Sequence, residues 1–214
     1  TTASGYGSHS EGYNTTASGR YSHAEGYETT ASGSESHAEG SLTIASGFIS
    51  HAEGISTTAS GGGSHAEGKQ TTASGNGSHA EGFRTTSSGD YSHAEGSNTT
   101  ASGFGSHAGG RTVNFSWINK IVAIGDTSFV HFRQTTSSGN IGAYGDYSVI
   151  LGGNDHNIGT GSTSSGIFAG SGNTISDDVL RTVVLGGGNI TGTTDDTVYV
   201  PYLNINNIDN DDSL

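Results

Sequence analysis

The chain has 214 residues, of which 37 are glycine and only 29% are hydrophobic, and its formal charge is −13. So few large apolar side chains exclude an ordinary globule with a thick core. Seven Lys plus Arg against 20 Asp plus Glu exclude a basic surface for nucleic acid or anionic lipid. No apolar run is long enough to insert into a bilayer. Without cysteine, disulfides contribute nothing, and without a Gly-X-Y period collagen is excluded.

Residues 1–110 read as eight copies of a 14-residue unit, the second being T-T-A-S-G-R-Y-S-H-A-E-G-Y-E over 15–28. Each unit splits into two half-repeats of seven, T-T-A-S-G-x-x and S-H-A-E-G-x-x. A coiled-coil heptad does not fit, because no apolar a/d pair exists and two glycines per unit cost a helix about 1 kcal/mol each. A short strand followed by a corner does fit. Alternation puts Ser and Ala of S-H-A-E on one face and His and Glu on the other; in T-T-A-S the first Thr shares a face with Ala, and the second Thr with Ser. Glycine then turns the corner. Two strands and two corners make a flattened coil filled with Ala, Ser and Thr. Stacked at ~4.8 Å, such coils form an all-β parallel β-roll, or β-solenoid. Low composition in hydrophobics would also suit disorder, but the strict repeat gives the backbone a regular way to pair. Thin coils bury little apolar area against an ordering cost of ~1–2 kcal/mol per residue, so association into an oligomer is expected.

Residues 111–120 break the repeat and hold the only tryptophan, Trp117, with Val113 and Phe115 alternating around it; they read as a packed transition segment. Residues 121–147 return to irregular heptads, Ile121–Thr127 then Ser128–Gln134, and Thr135–Gly139 echoes the first half. From Ser148 to Asn204 the period is 17. Ser148–Gly153 recurs as Ser165–Gly170 and Thr182–Gly187, each copy closed by an isoleucine at Ile158, Ile175 or Ile190. These coils carry larger apolar residues and longer corners. Residues 205–214 are an acidic lead-out.

The x-x-Ala-x-Gly-x-x form, as T-T-A-S-G and S-H-A-E-G throughout 1–110 and as Ile121–Gly125 in its S-V-A-I-G-like variant, resembles the head repeats of YadA-like trimeric autotransporter adhesins. The S-H-A-E-G and T-T-A-S-G version also resembles repeats in bacteriophage tail fibres, and Thr197–Ile205 is similar to segments found late in such fibres. The resemblance implies a left-handed parallel β-roll in each of three protomers. It further implies an extracellular homotrimeric fibre, on a virion or a bacterial surface, that attaches to a host or surface. Its partners would be two further copies of itself and a host glycan or protein, with no cofactor and no enzymatic activity. A purely structural spacer is the competing expectation.

The most conspicuous row is His9, His23, His37, His51, His65, His79, His93 and His107, with Glu11, Glu25, Glu39, Glu53, Glu67, Glu81 and Glu95 beside it. If residues 113–120 form one half-coil, Val122, Ile124, Val149 and Leu151 fall on that same face, making it the trimer interface with His–Glu hydrogen bonds between protomers. If they do not, the Thr/Ser face is inside instead. Metal binding by the row is the sharper alternative, but no finger-like ligand spacing exists and no metal ligand is assigned. A Ser-His-Glu catalytic reading fails because adjacent Ser and His point to opposite faces. The Thr row (Thr2, Thr16, Thr30, Thr58, Thr72, Thr86, Thr100) suits an ice-binding array or simply a solvated strand face. Corner aromatics Tyr6, Tyr13, Tyr21, Tyr27, Phe48, Phe83, Tyr91 and Phe104 are candidate receptor contacts, since loops on a rigid scaffold carry recognition.

Overall fold

The alternation of small and polar residues sets the architecture. A strand that can bury only Ser, Ala and Thr must meet another such strand at short range, and a glycine corner lets the chain return to do so. The computed structural model describes residues 1–112, 120–134 and 141–201. It is an all-β parallel solenoid of two 13-stranded sheets, with successive turns of chain alternating between them. The first sheet collects the T-T-A-S strands, from Thr2–Ala3 and Thr16–Ala17 onward; the second collects the S-H-A-E strands, from His9–Tyr13 and His23–Tyr27 onward. We call them the Thr sheet and the His sheet. Register is in step: Thr16 pairs with Thr30 and Ala17 with Ala31, while His23 pairs with His37 and Ala24 with Ala38. Thirteen coils at ~4.8 Å make a rod of roughly 60 Å.

The interior is as the alternation requires. Thr15, Ala17, Ser22 and Ala24 are buried, and the same four positions are buried in the coils above. Most inward Ser hydroxyls bond to the glycine three residues back: Ser22 Oγ donates to Gly19 O at 2.8 Å and Ser36 Oγ to Gly33 O at 2.7 Å. Backbone donors bond to the next coil, as Thr16 N to Thr29 O and His23 N to Ser36 O, both at 2.9 Å. The main chain is thus paired from coil to coil, whereas the inward Thr29, Thr43, Thr57, Thr71 and Thr85 hydroxyls have no hydrogen-bond partner.

Two corner features fix the residue types. At Gly19, Gly33, Gly47 and Gly61 the coils approach backbone to backbone, and a Cβ at Gly33 would collide with the carbonyl of Gly47. The other corner glycine takes a positive φ, 110° at Gly26. Positive φ is also imposed on side chains that dislike it, including Ile49 at 54° and Thr127 at 53°.

The second part of the rod is thicker. In the inward column of the His sheet, Ala108 is followed by Val130, Ile150, Ile167 and Val184. In that of the Thr sheet, Ala143 is followed by Ile158 and Ile175. Each Ala-to-Ile exchange buries three more carbons, roughly 2 kcal/mol at ~0.8 kcal/mol per methylene. Hydrogen bonds between equivalent positions of neighbouring coils span 14 residues at first, then 22 and 20, then 17, and finally 15. The 17-residue period therefore governs the coils aligned through Val149, Gly166 and Val183. Ile190 is a correction. Thr191 pairs with Thr174 and Gly192 with Ile175, so Gly192, not Ile190, continues the column of Ile158 and Ile175. Residue 190 instead follows His156 and Asn173, because the offset from the preceding valine strand is the same in all three copies. The expectations for Val113, Phe115, Trp117, Thr135–Gly139, Tyr202–Ile205 and the acidic lead-out lie outside the described residues.

His156 is fully buried in this thicker section, its Nδ1 accepting a hydrogen bond from Asn173 N at 3.2 Å while its Nε2 has no partner. Burial pushes its pKa below the usual histidine value. The folded state then binds a proton less readily than the unfolded chain, so stability is intact above pH ~6.5 and falls as pH drops below that value. His156→Asn, which keeps an acceptor for Asn173 N, is expected to flatten the fall in melting temperature between pH 7 and 5. For the corners, Gly33→Ala is expected to cost at least ~2 kcal/mol, the upper range of overpacking. Gly63→Ala, where φ is 63° and no atom lies within 4 Å, should cost about 1 kcal/mol. Denaturant titration of both variants checks the difference.

Candidate interaction face

Outward positions of the His sheet repeat every coil at the strand spacing, so like residues must stack on like. The histidines do: from His23 to His79 successive ring centroids lie 4.7–4.9 Å apart with interplanar angles of 1–4°. From His37 to His107 each His of the row reaches the Glu of the coil below. His51 Nε2 meets Glu39 Oε1 at 3.2 Å and His79 Nε2 meets Glu67 Oε1 at 3.2 Å, hydrogen bonds in which the ring N–H donates to a carboxylate that can only accept. His37–Glu25, His65–Glu53, His93–Glu81 and His107–Glu95 approach at 3.3–3.4 Å. These side chains are about one-third exposed. At the lower end, His9 and Glu11 stand 3.9 Å apart and are more exposed. These His–Glu contacts form within one chain, because an offset of one coil brings the two side chains together. The Ser-His-Glu catalytic arrangement is not assembled: Ser22 points inward to Gly19 O while His23 points out.

Above the ladder the same face turns apolar. His107 aligns with Phe129, Phe129 with Val149, Gly166 with Val183, and Val183 with Val198. In the neighbouring outward column Gly109 aligns with His131, His131 with Leu151, Leu151 with Phe168, and Phe168 with Leu185. Leu151 and Leu185 are 49% and 44% exposed, and Val198 is 59% exposed. The expectation for Val149 and Leu151 therefore holds: they lie on the His face. That for Val122 and Ile124 does not. Thr100 pairs directly with Val122 and Ala101 with Ala123, so Val122 and Ile124 continue the Thr sheet. That direct pairing shifts those two residues by one sheet from the expected count. Val122 is buried, and Ile124 is exposed on the Thr side.

The Thr sheet presents Thr16, Thr30, Thr58, Thr72, Thr86 and Thr100 in register, broken by Ile44. Its outer face is otherwise polar in the first half. The corner aromatics pair across coils. Tyr13 and Tyr27 stack at 5.1 Å, and Tyr6 and Tyr21 meet edge-on at 5.6 Å with Arg20 over both rings. Tyr91 meets Phe104 at 5.5 Å. Phe83 is half-buried under Arg84, while Phe48 stands exposed. These side chains divide between the two edges of the coil, so they make separate small patches rather than one surface. Sequence reasoning passed over Arg20, Phe129, His131, Phe168 and Leu185, whose places on the edge and face follow only from the strand register.

The family described as YadA head domain repeat (2 copies) matches residues 1–22, 52–78 and 80–106. Over those segments the chain matches the YadA head repeat. The matched segments cover roughly a third of its length, all within the 14-residue coils. Repeats of this kind make adhesin-type, surface-exposed fibre segments that self-associate. No curated protein matches the chain. No helix among the described residues is long and apolar enough to cross a membrane.

Removing one ladder carboxylate tests the side-chain stack. Glu67→Ala leaves His79 Nε2 without its acceptor and is expected to cost about 1 kcal/mol, while Glu67→Gln, which keeps an acceptor oxygen, should cost less. Equilibrium denaturation of both variants checks the order.

Proposed function

We propose that the chain is a structural and adhesive segment of an extracellular homotrimeric fibre, displayed on a virion or a bacterial surface and serving attachment to a host or another surface. The observation that carries this reading is the outer face of the His sheet. It is flat, runs the length of the rod, and changes from a half-buried His–Glu ladder to a strip of exposed Val, Leu and Phe. A rod whose interior is mainly Ala, Ser and Thr gains little from burial along the first eight coils. Covering the His face with two other copies removes the apolar strip from water and leaves the polar Thr face and the corners outside. The attachment role is supported by the paired corner aromatics, Tyr13 with Tyr27 and Tyr6 with Tyr21 beside Arg20, which remain exposed on rigid edges in this arrangement. Stacked aromatics and a cation suit sugar rings or a protein surface.

Sedimentation equilibrium separates the faces. The wild-type chain is expected to sediment as a trimer. The double variant Leu151→Glu, Leu185→Glu should sediment as a monomer, and Thr58→Glu on the opposite sheet should remain trimeric. Trimers that survive the double variant and dissolve with Thr58→Glu would reverse the assignment. On a glycan array, signal from wild type that is lost in Tyr13→Ala, Tyr27→Ala supports attachment; its absence for any glycan or host-cell surface favours the spacer reading.

A further inference from the structure

The ladder does not end as it runs. Between His93 and His107 the ring planes meet at 77° instead of lying parallel, and His107 turns to stack on Phe129 at 4.7 Å and 16°. The next Glu position is Gly109. A Cβ there would stand 2.7 Å from His131 Nδ1 and 2.9 Å from Glu95 Oε1. The missing side chain is what lets His131, one coil above, fold back towards Glu95. As a result Glu95 Oε1 lies 3.3 Å from His107 Nε2 and 3.5 Å from His131 Nδ1. The three donor atoms lie within 4.8 Å of one another. His107 Nε2 is buried and makes no hydrogen bond.

We infer that Glu95, His107 and His131 form a site for a divalent transition-metal ion such as Zn²⁺ or Ni²⁺. Two donors on a tetrahedral ion with bonds of ~2.0–2.1 Å stand about 3.3–3.4 Å apart, close to the 3.3 and 3.5 Å found on the two sides of the carboxylate. Two imidazoles and one carboxylate are donors that such ions accept, with a fourth position left for water. The mid-ladder groups, His37–Glu39–His51 for example, differ in one respect. Their rings are parallel and 4.8 Å apart, so one ion does not reach both rings without breaking the stack. His107 and His131 stand in adjacent columns rather than in one, with ring centroids 6.4 Å apart and planes 20° from parallel, and the gap at Gly109 lets the second ring approach Glu95 without a ladder stack being broken. All three ligands come from one chain, so the ligand set is complete without a second copy.

Dialysis of the full chain against Zn²⁺ or Ni²⁺, followed by elemental analysis and titration calorimetry, tests the assignment. Wild type is expected to retain about one ion per chain. His131→Ala and Glu95→Gln should each lower retention at least tenfold, with circular dichroism showing that the solenoid persists. His51→Ala, in the middle of the ladder, should leave retention unchanged. No retained ion in wild type, or retention that follows His51 and ignores both His131 and Glu95, would overturn the proposal.

Discussion

The structure depends on one contact: the approach of successive coils, backbone to backbone, at the corner glycines. Gly19, Gly33, Gly47 and Gly61 each sit where any Cβ would enter the carbonyl of the coil above. Once the coils are that close, the strand spacing dictates everything lateral to it. Residues 14 apart stack at ~4.8 Å, so a repeated sequence becomes a set of columns. The His ladder, the Thr row and the inward Ala columns are three readouts of the same translation. Polar corner residues obey it too: Asn76 N donates to Asp90 Oδ1 at 2.8 Å and Phe104 N to Asp126 Oδ1 at 2.9 Å, each capping a donor of the neighbouring coil.

Inside and outside change together along the rod. Where the core is Ala, the His face is a polar ladder; where the core becomes Val and Ile, the same face becomes Val, Leu and Phe. The exchange occurs around Gly109 and His131, at the same place where the coils lengthen from 14 to 22 residues. There the pattern loses its exact repeat, and a side chain from one coil reaches a partner that no other coil could offer it. A cluster of two histidines and a carboxylate is the product of that broken translation.

Much of this was legible from residues alone. Ala17 and Ala24 point inward because period-two alternation allows nothing else between glycine corners, and the His–Glu row follows from the same count. The misassignment of Val122 and Ile124 has a definite cause. A break in the repeat destroys the phase, and only the pairing of Thr100 with Val122 restores it. Val149 and Leu151 were placed on the correct face even so. The partner of each histidine was missed for a different reason: the next coil's carboxylate lies 12 residues back, close in space only once the stacking is known. The corner aromatics were identifiable as exposed, but their pairing depends on which residues share a column.

The register itself can be tested without reference to partners, because the native chain contains no cysteine. Thr58 and Thr72 are in-register neighbours on the Thr sheet, whereas Thr58 and His65 lie on opposite sheets facing away from each other. At ~4.8 Å the first pair falls within the Cα range of a disulfide. Under mild oxidation at low concentration, Thr58→Cys with Thr72→Cys should close an intrachain bond, seen by mass spectrometry, and Thr58→Cys with His65→Cys should not. Closure of the seven-residue pair, or failure of the fourteen-residue one, would contradict the stacked-coil account.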